Sequence, residues 1–133
     1  NLFNRDGGPT PPIGISVPQA MYDDFVEICK PVKNINPDFP FEVKVAKPRK
    51  RPTSTGGTDA SVFAVEGVPT YGFTTDDIKG YNFSYGEIWH TERDLYTKNI
   101  PEYQEHTAVV TAIVALGVAN LDKQLSREGM YKE

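Results

Sequence analysis

The chain has 133 residues, of which 38% are hydrophobic and 24% are charged, a balance typical of a globular domain rather than a disordered segment. Its formal net charge of -4 excludes a general attraction to nucleic acids or anionic lipids, and no stretch approaches the roughly 18 to 20 uninterrupted apolar residues of a membrane-spanning helix. The lone Cys29 excludes an internal disulfide framework and any cysteine-based zinc module. We therefore expect neither nucleic acid nor a membrane as a partner.

The first third of the chain alternates strand and helix patterns. It starts at Asn1 with no initiator Met and no signal-peptide core, so we expect it to begin inside a longer protein. Residues 13–17 alternate as in a strand, and apolar residues then recur at helical spacing through 20–30, where Pro31 ends the pattern. Residues 41–45 alternate again with a period of two. These patterns predict a β-α-β unit.

The middle of the chain contains two loops. The basic run 47–52 could be a nucleic-acid patch, but it lacks interleaved aromatic residues and is more typical of a solvated loop. Its position before Gly57 would also suit a substrate entrance that favours anionic peptides. A short helix after Asp59 and a strand over 68–73 follow. Residues 74–99 are aromatic, polar and weakly periodic, and loops of that length are usually functional.

The strongest helix prediction covers residues 101–124, with Pro101 in the first turn. Its predicted apolar stripe is formed by Val109, Val110, Ile113, Val114 and Leu121, and small residues at 108, 112, 115 and 119 should allow close approach of another layer. The alternation of strands and helices predicts an α/β domain in which helices cover a mixed or parallel sheet.

Two histidines could carry chemistry. His106 lies beside Glu102 and Glu105 in the terminal helix, and we expect it on an exposed polar face without a functional role. His90 lies in the aromatic loop 85–94, where hydroxyl, carboxylate and guanidinium groups surround it in sequence. These neighbours allow a ligand role for His90, but on their own they more often indicate an ordinary loop residue.

Further information comes from four motifs that occur in this order: Asn-Arg-Asp-Gly-Gly at 4–8, Gly-Thr-Asp-Ala-Ser-Val-Phe at 57–63, Glu-Gly-Val-Pro at 66–69, and His-Thr-Glu-Arg-Asp at 90–94. Together they resemble the C-terminal half of the two-zinc exopeptidase family that includes bacterial leucyl aminopeptidases and carboxypeptidase Q. The resemblance implies that residues 1–133 are the C-terminal part of a single catalytic domain with a zinc-exopeptidase-like fold and an absent N-terminal half. The resemblance also favours an exported protein, but it does not identify the compartment.

The resemblance implies that Asp6 is a carboxylate ligand of one zinc ion and that His90 is the imidazole ligand of the other. Asp6 could instead stabilise the Asp-Gly-Gly turn, and both roles can coexist. Asp59 resembles a buried acid that orients the metal ligands, but the N-cap of the following helix would explain it equally well. Asp94 is expected to brace the loop rather than to bind metal.

The aromatic residues depart from the family pattern. Relatives place a Tyr before the last zinc-binding His, where it donates to the oxyanion, whereas this chain has Trp89. Tyr81, Tyr85 or the metal could stabilise the oxyanion instead. We favour Trp89, Tyr85 and Phe83 as plain walls of an apolar side-chain pocket.

The chain lacks two further family patterns, the His-x-Asp that bridges the metals and the Glu-Glu pair that supplies the general base. We therefore expect a zinc-dependent exopeptidase, aminopeptidase-like and acting on peptides, of which this chain alone is inactive. The missing half or self-association should provide its protein partner. The alternative is a non-catalytic or degenerate binding module with the same fold.

Overall fold

The computed structural model describes residues 2–3, 8–82 and 84–132. Four α-helices lie in these ranges: α1 (Tyr22–Cys29), α2 (Ala60–Val65), α3 (Tyr85–Ile88) and α4 (Pro101–Ala119). The strands are β1 (Leu2–Phe3), β2 (Pro12–Val17), β3 (Glu42–Val45), β4 (Arg49–Lys50), β5 (Thr70–Tyr71), β6 (Phe73–Thr75) and β7 (Tyr131–Lys132). Short 3-10 helices cover Gln19–Met21, Lys30–Asn34 and Tyr96–Lys98. None of the described helices is long and apolar enough to cross a membrane.

The central sheet has three strands in the order β3-β2-β6. Strands β2 and β3 run parallel and are joined through α1, which confirms the predicted β-α-β unit. Strand β6 is antiparallel to β2, so the sheet is mixed. Two further parallel pairs, β1 with β5 and β4 with β7, extend the strand content. The coarse prediction of an α/β fold with a mixed sheet is therefore confirmed.

The core lies between the sheet and the helices α1 and α4. Phe25 of α1 meets the ring of Tyr71 edge-on, with ring centroids 5.5 Å apart. Val110 and Val114 of α4 are completely buried in the same cluster. Cys29 also lies there, and burial raises the pKa of its thiol to about 11.

Helix α4 differs from the prediction in its length and in which of its sides faces the core. It ends at Ala119 rather than near residue 124, and Asn120 follows as the C-cap. The residues it buries are Tyr103, His106, Val110 and Val114, whereas Val109 is 38% exposed. The alanines at 108, 112, 115 and 119 are also exposed. The helix is apolar on most sides, so the sequence alone did not reveal which side faces the core.

His106 is the clearest correction, because it is only 3% exposed rather than on a polar surface. Its ring packs on Phe39 with centroids 4.4 Å apart. Burial lowers the pKa of the imidazole, and the backbone carbonyl of Pro12 partly opposes that shift. Neither ring nitrogen has a hydrogen-bond partner of good geometry among the described residues.

The long segment 74–99 is anchored at its start to α4. The carboxylate of Asp77 accepts from the Tyr103 hydroxyl at 2.8 Å and from the Asn82 amide at 2.7 Å. The Lys79 amide donates to the same Tyr103 hydroxyl at 2.8 Å. Short helices then organise the rest of the segment, so it carries more regular structure than its weak periodicity indicated.

Candidate functional site

Two adjoining cavities share the side chains of Tyr85 and Trp89 as a common wall. The first has a volume of about 510 Å³ and includes Arg49, Thr58 and Phe73 in its lining. The second has a volume of about 400 Å³ and includes Gly8, His90, Asp94, Lys98 and Gln104. The candidate site is this pair of cavities, with the aromatic wall between them.

His90 stands at the end of α3 with its backbone in the left-handed region, at φ 55°. That conformation is uncommon outside glycine, although His tolerates it better than most residues. It brings the imidazole onto the Trp89 indole, with ring centroids 4.4 Å apart and an interplanar angle of 30°. No described residue forms a hydrogen bond with the His90 ring, so the stacking orients the ring while its nitrogens stay available to a ligand.

Asp6 lies outside the described residues, and its role as a ligand stays a prediction. Gly8, two residues further on, lines the same cavity as His90. A Cβ at Gly8 would stand 3.1 Å from the Cα of Tyr85, so the two backbones approach closely there. Gly8 therefore lies next to the loop that carries His90, although more than eighty residues separate the two in sequence.

Asp59 is exposed and occupies the N-cap position of α2, but its side chain makes no capping hydrogen bond. Its neighbours Gly57 and Thr58 line the first cavity, and Gly57 also reaches the second. Asp59 lies next to the candidate site, but its exposed side chain differs from the buried acid that the resemblance implies. Its proposed role in orienting metal ligands remains a prediction.

The aromatic residues divide into two groups. Tyr85 and Trp89 stack with centroids 6.1 Å apart, and their exposed fractions are 38% and 53%, so both present ring surface to the cavities. Tyr81 instead donates its hydroxyl to Glu102 at 2.5 Å, and that hydrogen bond raises the pKa of the phenol. Tyr81 is thus engaged with α4 and is not a suitable oxyanion donor. Phe83 lies outside the described residues.

Arg49 is a cavity residue that the sequence did not single out. Its Nη2 donates to the Thr70 carbonyl at 3.0 Å and to the Tyr131 hydroxyl at 3.3 Å, and the guanidinium lies 5.2 Å from the Tyr131 ring centroid. Arg51 likewise donates from Nε to the Val65 carbonyl at 2.7 Å. The basic run 47–52 is therefore held in part by hydrogen bonds to other elements and is not only a solvated loop. The partners of these hydrogen bonds lie 14 to 82 residues away in sequence, so no local pattern could reveal them.

The second cavity has side chains of the types that bind zinc, but fewer than a catalytic zinc ion needs. His90 and Asp94 line the second cavity, and imidazole nitrogen and carboxylate oxygen are both good ligands for Zn²⁺. A catalytic zinc normally takes three protein ligands, and no group of three such residues exists in the described ranges. The donors therefore fit a partial zinc shell, which other residues would have to complete.

The site can hold an apolar or aromatic group against the Tyr85 and Trp89 rings, next to one accessible imidazole. Arg49 adds a fixed positive charge on the far side of the aromatic wall. Comparisons with known proteins found no matching family model, no matching curated protein and no matching solved structure.

Proposed function

We propose that this chain supplies part of the site of a zinc-dependent exopeptidase, aminopeptidase-like in action, with a zinc-exopeptidase-like fold. One observation carries the proposal: Gly8, at the end of the motif that contains Asp6, lines the same cavity as His90. The last residue of the first motif thus lies beside the loop of the last motif, which supports a shared site for Asp6 and His90. The wall of Tyr85 and Trp89 beside them suits the side chain of a peptide's terminal residue.

The chain's own residues would act by binding and positioning. His90 would hold one zinc ion through its imidazole, with its ring oriented by the stack on Trp89. Asp6 would hold the second ion through its carboxylate. Bound zinc would supply Lewis acidity and an activated water at this cavity. Tyr85 and Trp89 would bind an apolar side chain and exclude bulk water from it.

The remaining parts of the site would come from outside this chain. The 133 residues contain no His-x-Asp and no Glu-Glu pattern. A carboxylate that bridges two metals and a general base are both needed for the proposed hydrolysis. Residues on another segment or another chain would therefore complete the site, and the chain alone would be inactive.

A zinc titration of the chain by calorimetry tests this proposal. We expect weak binding that is lost in His90→Ala and in Asp6→Asn, because each removes a ligand from an incomplete shell. Glu92→Gln is the matched control, since Glu92 is an exposed carboxylate in the same loop, and it should bind zinc as the wild type does. Two tight sites, turnover of an aminoacyl-nitroanilide by the chain alone, or unchanged binding in His90→Ala would each contradict the proposal.

A non-catalytic peptide-binding module is the second candidate. The observation that favours it is the stacked, exposed pair of Tyr85 and Trp89 beside cavities whose described residues include no complete set of metal ligands. Such a module would bind a peptide equally well with zinc or with a chelator present. An exopeptidase fragment would gain peptide affinity only when zinc is added, so one titration under both conditions separates the two functions.

A further inference from the structure

Strand β3 has a free edge. It is the outermost strand of the β3-β2-β6 sheet, and no other strand in the described ranges pairs with it on the side away from β2. Unpaired strand edges are ready templates for pairing with another chain. The sequence of β3 is Glu42-Val43-Lys44-Val45, which places the two charged side chains on one face and the two valines on the other.

The backbone geometry fixes which residues face the free edge. The Ala46 amide donates to the Val17 carbonyl at 2.7 Å, and the parallel register pairs Val17 with Val45. In a parallel ladder the residues that bond to one neighbour alternate along the strand. The backbone groups of Glu42 and Lys44 are therefore used by β2. The N–H and C=O groups of Val43 and Val45 point to the free edge.

The charges on β3 are self-complementary in one antiparallel register. With a two-fold axis at Val43, this residue lies opposite Val43 of the second copy. The free backbone groups of the two strands can then form hydrogen bonds with each other. Glu42 of each copy then lies opposite Lys44 of the other, in the close non-hydrogen-bonded position where opposite charges stabilise a sheet. Within one chain Glu42 and Lys44 already approach to 3.1 Å, and both are well exposed, so both are available to the second copy.

Neighbouring registers are unfavourable. A two-fold axis at Lys44 would place two lysines opposite each other, and an axis at Glu42 would oppose two glutamates, and like charges directly opposite destabilise a sheet. Registers shifted by one residue would place free backbone groups of one copy opposite groups of the other copy that already bond to its own β2. Among the registers centred on residues 42 to 44, the charge pattern and the backbone geometry therefore both favour the axis at Val43.

Apolar surface beside the edge would be covered in that arrangement. Val45 is 48% exposed, and Val26 of α1 is 43% exposed. A groove of about 360 Å³ runs between α1 and the start of β3, with Val26, Phe41 and Val43 in its lining. From these observations we propose that the chain forms a symmetric homodimer through antiparallel pairing of β3 with β3 of a second copy. This interface is separate from the proposed zinc site and does not depend on it.

Charge-reversal variants test the pairing by sedimentation equilibrium at low salt. Lys44→Glu and Glu42→Lys should each weaken the dimer about tenfold or more, because each turns two attractive cross-strand pairs into repulsive ones. The double variant Glu42→Lys/Lys44→Glu should restore the dimer, and an equimolar mixture of the two single variants should form heterodimers. Glu105→Lys, an exposed residue of α4 that carries the same change in net charge as Glu42→Lys, should dimerise as the wild type does.

The outcomes separate clearly, since both substituted side chains are exposed and circular dichroism can verify that each variant folds. Restoration by the double variant together with heterodimer formation would support the β3 interface. A wild-type chain that stays monomeric at its highest attainable concentration would overturn it. A wild-type dimer that neither single variant weakens would also overturn it, because the contact would then lie on another face of the molecule.

Discussion

The two histidines, His90 and His106, lie in very different environments. His90 and His106 have similar acidic neighbours in sequence, yet His90 is exposed on an indole ring and His106 is enclosed beside Phe39. The sequence predicted that His90 lies in a loop, because aromatic and polar neighbours without periodicity indicate a loop. It misplaced His106, because polar neighbours on a helix do not reveal which side of the helix faces the core.

The buried imidazole of His106 should make stability depend on pH. Its pKa is lowered in the folded chain, so below the unfolded value of about 6.5 the unfolded state binds more protons. The free energy of unfolding should therefore fall as the pH is lowered from about 6.5 towards the folded pKa. Urea denaturation of wild type and His106→Gln between about pH 5 and 7.5 should show a shallower pH dependence for the variant. His90→Gln is the control, and an equal flattening there would contradict the assignment.

The Tyr103 hydroxyl links α4 to the segment that precedes the site. It accepts from the Lys79 amide and donates to Asp77, and the phenol is buried, which raises its pKa to about 12. Tyr103→Phe removes both bonds and leaves the Lys79 amide without its partner. We expect the free energy of unfolding to fall by about 1 to 2 kcal/mol. Tyr96→Phe, at a side chain 89% exposed, should change it by less than about 0.5 kcal/mol.

Helices and strands were predicted well where periodicity was strong. The β-α-β unit and the start of α4 at Pro101 follow from alternation, helical spacing and proline. The strand expected over 68–73 is instead two short strands, β5 and β6, which pair with β1 and β2 respectively. Such a change of partner depends on tertiary contacts, which a local pattern does not contain.

Close packing between α1 and α4 depends on Gly117 rather than on the exposed alanines. A Cβ at Gly117 would lie 2.5 Å from Cγ2 of Ile28, which is closer than packed carbon atoms allow. Gly117→Ala gains about 1 kcal/mol of helix propensity but forces Ile28 to move, at a cost of about 1 to 3 kcal/mol. We expect a net loss of stability of roughly 1 kcal/mol in chemical denaturation.

Two variants check the origin of that loss. Ile28→Ala combined with Gly117→Ala should cost less than the sum of the single variants, because the clash disappears. Gly86→Ala in α3 has open space around the added methyl group and should be neutral or slightly stabilising. Strict additivity of the two substitutions in α1 and α4 would show that the clash is not the cause.

The whole molecule leaves apolar surface in contact with solvent. Val109 and Leu116 on the outer face of α4 are 38% and 65% exposed, and one edge of β3 has no partner strand among the described residues. Whether the chain pairs with a partner through these surfaces remains a prediction. The convergence of Asp6 and His90 stays a prediction, whereas Arg49 lines the first cavity through contacts with strands distant in sequence, which the motifs did not indicate.

We propose that the motif containing Asp6 and the loop containing His90 contribute ligands to one metal-binding cavity. A zinc titration followed by NMR, with the amides of residues 6–8 and the imidazole of His90 observed together, tests it most directly. We expect both sets of signals to shift with the same zinc dependence while the buried His106 ring does not respond. A response at His90 with none at residues 6–8, or no response at His90, would show that the two segments do not share a metal site.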